Sequence, residues 1–287
     1  MKKITVISGK GGTGKTSLVG SFAALASRNT VFVDADVDAA NLSLIMHPRL
    51  LEEHEFTASQ TAFIDLSECT QCGLCRDLCR FEAISEEYIV DPVACEGCGF
   101  CSYTCPVEAI KMEDRVSGKW FVSETPFGTL VHARLGIAEE NSGKLVTAVR
   151  NRGAELAEAG GKDYLLIDGP PGIGCPVIAS LSGVDAALIV TEPTVSGIHD
   201  LERVLSVCHH FGITASVCIN RYDLDEEQTQ AIDSFCRKEK INLAGKIPFD
   251  RIVVEAMVKG MPVVEYSDGP VSQSVRSVWE SLIDELN

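Results

Sequence analysis

Apolar residues along this chain gather in short, dense runs. Ile4-Thr5-Val6-Ile7-Ser8, Thr30-Val31-Phe32-Val33, Tyr164-Leu165-Leu166-Ile167-Asp168, Ala186–Val190, Ser216–Ile219 and Leu243–Ile247 are four or five residues long and rich in Val, Ile and Leu. Runs of this kind read as buried strands. Helical patterns follow or intervene at Ser17–Ala26, Val195–Cys208, Glu226–Lys240 and Ser272–Leu286. Strands alternating with helices predict a doubly wound, mostly parallel α/β sheet, with ligands at the carboxyl ends of the strands.

One stretch, about residues 57–115, breaks that alternation and carries eight of the twelve cysteines. They form two runs, Cys69-x2-Cys72-x2-Cys75-x3-Cys79 and Cys95-x2-Cys98-x2-Cys101-x3-Cys105-Pro106. This is the spacing of a bacterial two-cluster ferredoxin, in which the fourth cysteine of each run ligates the other run's cluster. Three thiolates on a tight loop cap three irons of a cube, and the fourth iron takes a ligand from further away. Cys69, Cys72, Cys75 and Cys105 are thus expected to hold one [4Fe–4S] cluster, and Cys95, Cys98, Cys101 and Cys79 the other. Structural zinc is the rival reading, but zinc sites pair two Cys-x2-Cys couplets over a longer gap and do not need four cysteines per run. The flanks repeat as well. Ile64-Asp65 matches Val90-Asp91 and Glu82-Ala83-Ile84 matches Glu108-Ala109-Ile110, all displaced by 26 residues, which implies two pseudo-symmetric halves. Arg80 stands where the second run has Pro106, so the two cluster environments are unequal. The expected division is 1–56 and 116–287 for an α/β domain, interrupted by a ferredoxin-like α+β insert at 57–115.

The first strand runs into Gly9-Lys10-Gly11-Gly12-Thr13-Gly14-Lys15-Thr16, which matches G-x-x-x-x-G-K-[ST] in the required strand–loop–helix setting. The glycines of such a loop let backbone N–H groups turn inward onto phosphate oxygens, helped by the positive end of the helix dipole. Gly9, Gly11, Gly12, Thr13, Gly14, Lys15, Thr16 and Ser17 are therefore candidate ATP-binding residues. Lys15 is placed to reach the β- and γ-phosphates, and the Thr16 hydroxyl to ligand Mg2+. Asp168 closes an apolar strand as a Walker B carboxylate. It is followed by Gly169-Pro170-Pro171-Gly172, where a flexible glycine can offer its N–H to the γ-phosphate.

Lys10 and the D-x-P-P-G string together resemble the deviant Walker A ATPases of the MinD, ParA and nitrogenase-iron-protein group. With the cysteine runs included, the whole chain resembles MinD-superfamily ATPases that contain an inserted ferredoxin domain. The resemblance implies an ATP-dependent dimer, of two copies or of two homologous chains, in which Lys10 reaches the partner's phosphates in trans, parallel to an arginine finger. A solvated lysine is the alternative. It also implies that Asp36, in Asp34-Ala35-Asp36-Val37-Asp38, serves as a switch I residue orienting water or the Mg2+ shell. Asn220 matches the adenine-contacting asparagine of the group. Pro248, in Ile247-Pro248-Phe249-Asp250, lies in the loop that closes over the base. Lys10, Lys15, Asp36 and Asp168 are the catalytic candidates.

Composition narrows the partners. The net charge is −16 and no Lys/Arg run exists, so the basic face that nucleic-acid binding needs is missing. No apolar run approaches 18 residues, so no membrane span is expected. A first strand at the N-terminus leaves no room for a targeting peptide, and abundant thiols point to a reducing cytoplasm. Membrane-binding MinD proteins end in a basic amphipathic helix. The stripe Val275, Val278, Trp279, Leu282, Ile283 and Leu286 is instead flanked by Glu280, Asp284 and Glu285, which fits a core helix better than a lipid-binding one.

The leading function is an ATPase whose nucleotide state gates electron transfer through its two clusters to a redox partner. The alternative is an ATP-dependent carrier that delivers iron–sulfur or other metal cofactors to an apo-metalloprotein. Such carriers often use a late Cys-x-x-Cys or Cys-x-Cys pair. Beyond the two runs only Cys175, Cys208, Cys218 and Cys236 remain, and they form no such pair. Cys175 lies seven residues after Asp168, the offset at which the nitrogenase iron protein carries a ligand to a cluster shared across its dimer. It is a speculative metal ligand, against the plainer reading of a small buried hydrophobe.

Overall fold

The six apolar runs lie side by side in one sheet of a computed structural model of the protein, which describes residues 1–26, 28–136 and 142–286. The described strands are β1 (Lys2–Ser8), β2 (Thr30–Asp34), β3 (Arg49–Ile64), β4 (Ile110–Thr125), β5 (Gly128–Leu135), β6 (Tyr164–Pro171), β7 (Ala186–Thr191), β8 (Thr214–Asn220) and β9 (Asn242–Ile247). Their order across the sheet is β3-β4-β5-β2-β6-β1-β7-β8-β9. From β5 to β9 every neighbouring pair is parallel. All residues of β2 and β7 are buried, as strands covered on both faces must be.

The helix Lys15–Leu25 lays Leu18, Val19 and Phe22 on Ile4, Val6, Phe32 and Leu166 of the sheet. The last helix, Pro270–Leu286, joins the same cluster through Val271, Val275, Val278 and Leu282, and its Trp279 ring stands 5.0 Å from that of Phe22. Each such side chain contributes about 1.5–3 kcal/mol on burial. The apolar stripe of the last helix is spent on the core. No helix among the described residues is long and apolar enough to cross a membrane.

The sequence pattern missed β3, β4 and β5. Most β3 positions are at least partly exposed and its first half is charged, so it lacks the dense apolar signal of the central strands. β4 and β5 join through a tight turn in which the Thr125 hydroxyl donates to the Gly128 carbonyl at 2.7 Å.

The chain divides into two compact units. Of the described residues, one holds 1–26, 28–54, 120–134 and 142–286, and the other holds 55–119 with 135 and 136. The smaller unit carries the 26-residue repeat into its backbone. Left-handed φ angles recur at Gln71 and Gly97 (55° and 64°), at Gly73 and Gly99 (84° and 72°), and at Glu82 and Glu108 (52° and 54°). The two halves also exchange hydrogen bonds: Asp65 N–H donates to the Ala109 carbonyl and Asp91 N–H to that of Ala83, both at 2.8 Å. Within each half the cysteine run is tied to its aspartate. Cys69 N–H donates to Asp65 O and Cys95 N–H to Asp91 O, both at 3.0 Å.

Candidate functional site

β1, β2 and β6 end at the same edge of the sheet, and their last residues meet there. Asp34 and Asp168 face one another in register across β2 and β6, and Asp168 also stands beside Val6 of β1. Both carboxyl groups are fully buried. Burial is the main cause that raises Asp168 to about 7, with Asp36 adding to it. Thr16 and Lys15 pull the value down, though neither Asp168 oxygen gains a hydrogen bond of regular geometry. Asp34 is held well above the carboxylate range by burial and then by Asp168, against hydrogen bonds from the N–H groups of Leu42 (3.1 Å) and Asp36 (3.3 Å). Asp36 is raised by burial, while Lys15 opposes the shift.

The loop after β1 turns through Gly12 and Gly14, both in the left-handed region (φ 81° and 90°), into the helix that starts at Lys15. A side chain at Gly14 would also meet the Asn220 amide at 2.5 Å. Glycine is thus required there twice over. Gly11 and Gly12 have open space before them, so a ligand can approach their backbone closely. At Gly9 an added Cβ would meet Asp200 at 2.5 Å. Lys15 is buried, and its ammonium donates to Ser8 Oγ at 2.9 Å, whose hydroxyl donates to the Lys10 carbonyl at 2.6 Å. Burial lowers the Lys15 pKa, against the pull of Asp168 and Asp36.

This donor set fits a magnesium-bound nucleoside triphosphate. Backbone N–H groups at a helix N-terminus and the Lys15 ammonium match phosphate oxygens. The unpartnered carboxylate of Asp168 and the Thr16 hydroxyl beside it match a hard divalent cation, which would also return Asp168 to its charged form.

Beside the phosphate loop lies a cavity of about 90 Å3 lined by Gly14, Ser17, Asn220, Pro248, Phe249 and Met257, among others, which brings together the two residues expected at the base. Asn220 is committed on both sides of its amide: Nδ2 donates to the Thr13 carbonyl at 2.8 Å and Oδ1 accepts from Arg221 N–H at 3.0 Å. It braces the phosphate loop from β8 as well as lining the cavity. Ser17 Oγ meets the Met257 sulfur at 3.0 Å.

Gly172 and Lys10 are both engaged within the chain. Gly172, left-handed at φ 93°, donates its N–H to the Ser8 carbonyl at 2.8 Å, so that donor is engaged within the loop. The Lys10 ammonium donates to Thr194 Oγ1 at 3.1 Å and lies 3.5 Å from Glu192, which also pairs with Arg221 at 2.6 Å. Glu192, Thr194 and Arg221 were missed from sequence. A signal existed for Glu192, because it is an acid just beyond the carboxyl end of a buried strand, where this fold places its ligands.

The cysteine unit presents a second candidate site. A cavity of about 250 Å3 is bordered by Cys79 together with Cys95, Cys98 and Cys101. Cys79 belongs to the first run, yet it opens onto the same space as three cysteines of the second. Burial opposes ionisation of Cys95, but the N–H groups of Ala62 and Gly97, the Thr61 hydroxyl and Arg115 outweigh it and lower the pKa. Burial raises Cys75 and Cys101. Cys69, Cys79, Cys95, Cys101 and Cys105 all pack against one small apolar cluster with Cys75, and Cys72 and Cys98 are exposed. Among the described residues no three His, Cys, Asp or Glu converge at the spacing of a single ion.

Cys175 opens the helix Cys175–Leu181 and is exposed, which removes the reading of a buried hydrophobe. Cys208, Cys218 and Cys236 are buried, and burial pushes their thiols to about 11, 12 and 11.

Comparison with known proteins agrees with the nucleotide site. The profile of the CobQ/CobB/MinD/ParA nucleotide binding domain matches residues 4–263. An uncharacterized protein of Methanocaldococcus jannaschii is 34% identical over 98% of this chain and 96% of its own length. An iron–sulfur cluster carrier protein of Pyrococcus abyssi is 27% identical, over 50% of this chain and 53% of that protein. The septum site-determining protein MinD of Pyrococcus horikoshii, solved with Mg-ADP, superposes with a TM-score of 0.60 at 21% identity, covering 99% of this chain and 96% of that one.

Proposed function

The chain belongs to the CobQ/CobB/MinD/ParA nucleotide-binding family and is a P-loop ATPase, and from that premise we propose that its nucleotide state gates electron transfer through two [4Fe–4S] clusters to a redox partner. One observation carries the cluster reading: Cys79 shares a cavity with Cys95, Cys98 and Cys101. That is the crossed ligand set which two exchanged runs require. Cys69, Cys72, Cys75 and Cys105 would hold the other cluster by the same symmetry. When bound, such clusters supply one-electron chemistry. The thiolates of the chain hold them, and the backbone N–H groups around Cys95 favour its charged form.

At the nucleotide end, the loop amides and Lys15 bind the phosphates while Thr16 and Asp168 hold Mg2+. Asp36 orients the attacking water or the metal shell. For the γ-phosphate to gain the Gly172 N–H, that donor must leave Ser8, so ligand binding has a defined bond to exchange in the segment after Asp168. Lys10 must likewise leave Thr194 and Glu192 before it can serve the phosphates of a partner in an ATP-dependent dimer. We place this chemistry in a reducing cytoplasm, where thiol ligands persist.

The decisive test is the rate at which the dithionite-reduced protein gives electrons to an acceptor with ATP, with ADP and with a non-hydrolysable analogue. Gating predicts rates that differ with nucleotide; identical rates remove it. The partial match to iron–sulfur carrier proteins favours delivery of clusters as a second reading. Iron transfer to an apo-ferredoxin, measured with and without ATP, separates the two.

A further inference from the structure

The rim of the cavity bordered by Cys79, Cys95, Cys98 and Cys101 is where the 26-residue repeat fails. Leu78, Phe81 and Phe100 line it, with 37%, 44% and 49% of each residue exposed. The same shift carries these three positions to Thr104, Val107 and Leu74. No aromatic stands in that second set, and the Thr104 hydroxyl folds back onto the Phe100 carbonyl at 2.9 Å. The backbone of the two halves stays alike, as the paired φ angles show, so the difference lies in the side chains alone.

Two half-exposed phenylalanines forgo much of the stabilisation that burial would bring. Large apolar and aromatic side chains grouped at a surface are the usual centre of a protein–protein contact. Cys98 is itself exposed at this rim, so a docked protein would reach the ligand set directly. The charge around it selects the partner. Residues 55–119 carry twelve Asp and Glu against five Lys and Arg, a net charge of −7; the rim itself holds Glu96 and Arg80, so the acidic field comes from the unit around it. A second copy of this acidic unit would be repelled, whereas a protein with a positive border around an apolar centre would be drawn in.

We propose that Leu78, Phe81 and Phe100 form the docking face for an electron-transfer protein with a basic rim, and that electrons leave through the Cys79, Cys95, Cys98 and Cys101 set. This rests on the cluster reading above. The step moves one electron: the reduced protein loses it, a ferric haem gains it, and no bond or proton changes place.

The full chain is reconstituted anaerobically, reduced with dithionite, freed of excess reductant and mixed with ferric cytochrome c, a basic haem protein. Benzyl viologen serves as the small acceptor. In Phe81→Ser/Phe100→Ser the cytochrome c rate should fall about tenfold or more, the effect of losing central contacts. Iron and sulfide should remain those of the parent, and the viologen rate, which carries any change in cluster potential, should fall far less than the cytochrome c rate. Leu74→Ser/Val107→Ser, the mirrored pair, should leave the cytochrome c rate within about twofold. Glu96→Lys should lower the rate and flatten its decline with salt, which keeps the face testable if the first variant loads poorly. Equal cytochrome c rates in the two double variants with full iron, or rates independent of salt, overturn the docking face and leave the clusters standing. A dimer abolished by Phe81→Ser/Phe100→Ser makes a second copy the occupant and overturns it too. A parent that binds no iron removes the cluster reading and the docking face together.

Discussion

The two sites of this protein are built on opposite plans. The nucleotide site is assembled from strand ends far apart in the chain: Lys15 after β1, Asp36 after β2, Asp168 near the end of β6 and Asn220 at the end of β8. No part of it repeats, and its polar groups hold one another in a strained arrangement of charge. Asp34 and Asp168 lie side by side, and Lys15, which pulls on Asp168, leans on Ser8. The cysteine unit is local and doubled, with each turn of one half answered 26 residues later by the same turn in the other. Its groups are prepared by symmetry rather than by long-range topology. The lesson is where each site can be altered. In the nucleotide site every residue has a unique role, so a single change is severe. On the reading proposed here, a change in the doubled unit removes one of two clusters, and the places where the halves differ carry the specificity.

The sharpest break in that comparison comes at the two loop lysines. Lys15→Ala should abolish ATP binding, since it removes the buried ammonium from the phosphate end; titration with a fluorescent ATP analogue checks this. Lys10→Ala should keep binding and lose turnover by about 10^3-fold or more, if Lys10 acts in trans as an arginine finger does. Unchanged turnover leaves Lys10 as no more than the ion-pair partner of Glu192.

In the doubled unit the expected loss is one half. The parent should bind about eight irons and eight sulfides after anaerobic reconstitution. Cys69→Ser and Cys79→Ser should each reduce iron to about half, and in different clusters although both residues belong to one run. Spectra from the two variants that report the same surviving cluster would show that each run binds its own. Stoichiometric zinc with little sulfide would end the iron–sulfur reading altogether.

The buried carboxylates give the nucleotide site a pH signature of its own. Asp168 titrates near 7 in the folded protein, above its ordinary value of 3.8. Its contribution to stability is therefore full at low pH, where folded and unfolded chains both hold the proton. It is lost as pH rises through about 7, because the unfolded chain has by then released a proton that the folded one retains. The loss is on the order of 4 kcal/mol between those limits. Asp34 acts in the same direction. Thermal unfolding without nucleotide should show a falling Tm from about pH 5 to 8. Asp168→Asn should flatten most of the slope, and Mg-ATP should oppose it in the parent. A Tm independent of pH in the parent would mean that a cation already neutralises the pair.

Much of this was legible in the sequence because it is local. The P-loop, the strand ending in Asp168 and the paired cysteine runs are short patterns whose chemistry forces their spacing. The central strands were legible because burial on both faces demands unbroken apolar runs. β3 and β4 were not, since strands with a wet face mix Glu, Lys and Ser with their apolar residues, and in β5 His132 and Arg134 interrupt the run. Glu192, Thr194 and Arg221 were hidden for another reason. Their meaning depends on β7 lying between β1 and β8, a fact of topology rather than of spacing. Asn220 was found by its resemblance to an adenine contact, but its hold on the Thr13 carbonyl shows only in the fold.

The smallest effect is expected at Cys175, which belongs to neither plan. It sits at the start of the helix after the Asp168 loop, exposed, with Gly143 packed so near that an added Cβ there would meet the Cys175 Cβ at 3.2 Å. A thiol exposed just after the Asp168 loop would meet its counterpart only if that face closes in a dimer. Yet two such thiols supply two ligands, half of what a shared [4Fe–4S] cluster takes. No cysteine lies between Cys105 and Cys175 to complete the set. Cys175→Ala should therefore keep the parent's iron content and ATPase rate after anaerobic reconstitution, and both should be measured with and without ATP. Loss of iron only in the ATP-bound dimer would reverse this: the nucleotide site would then hold a metal centre of its own, and the two plans would meet at Cys175.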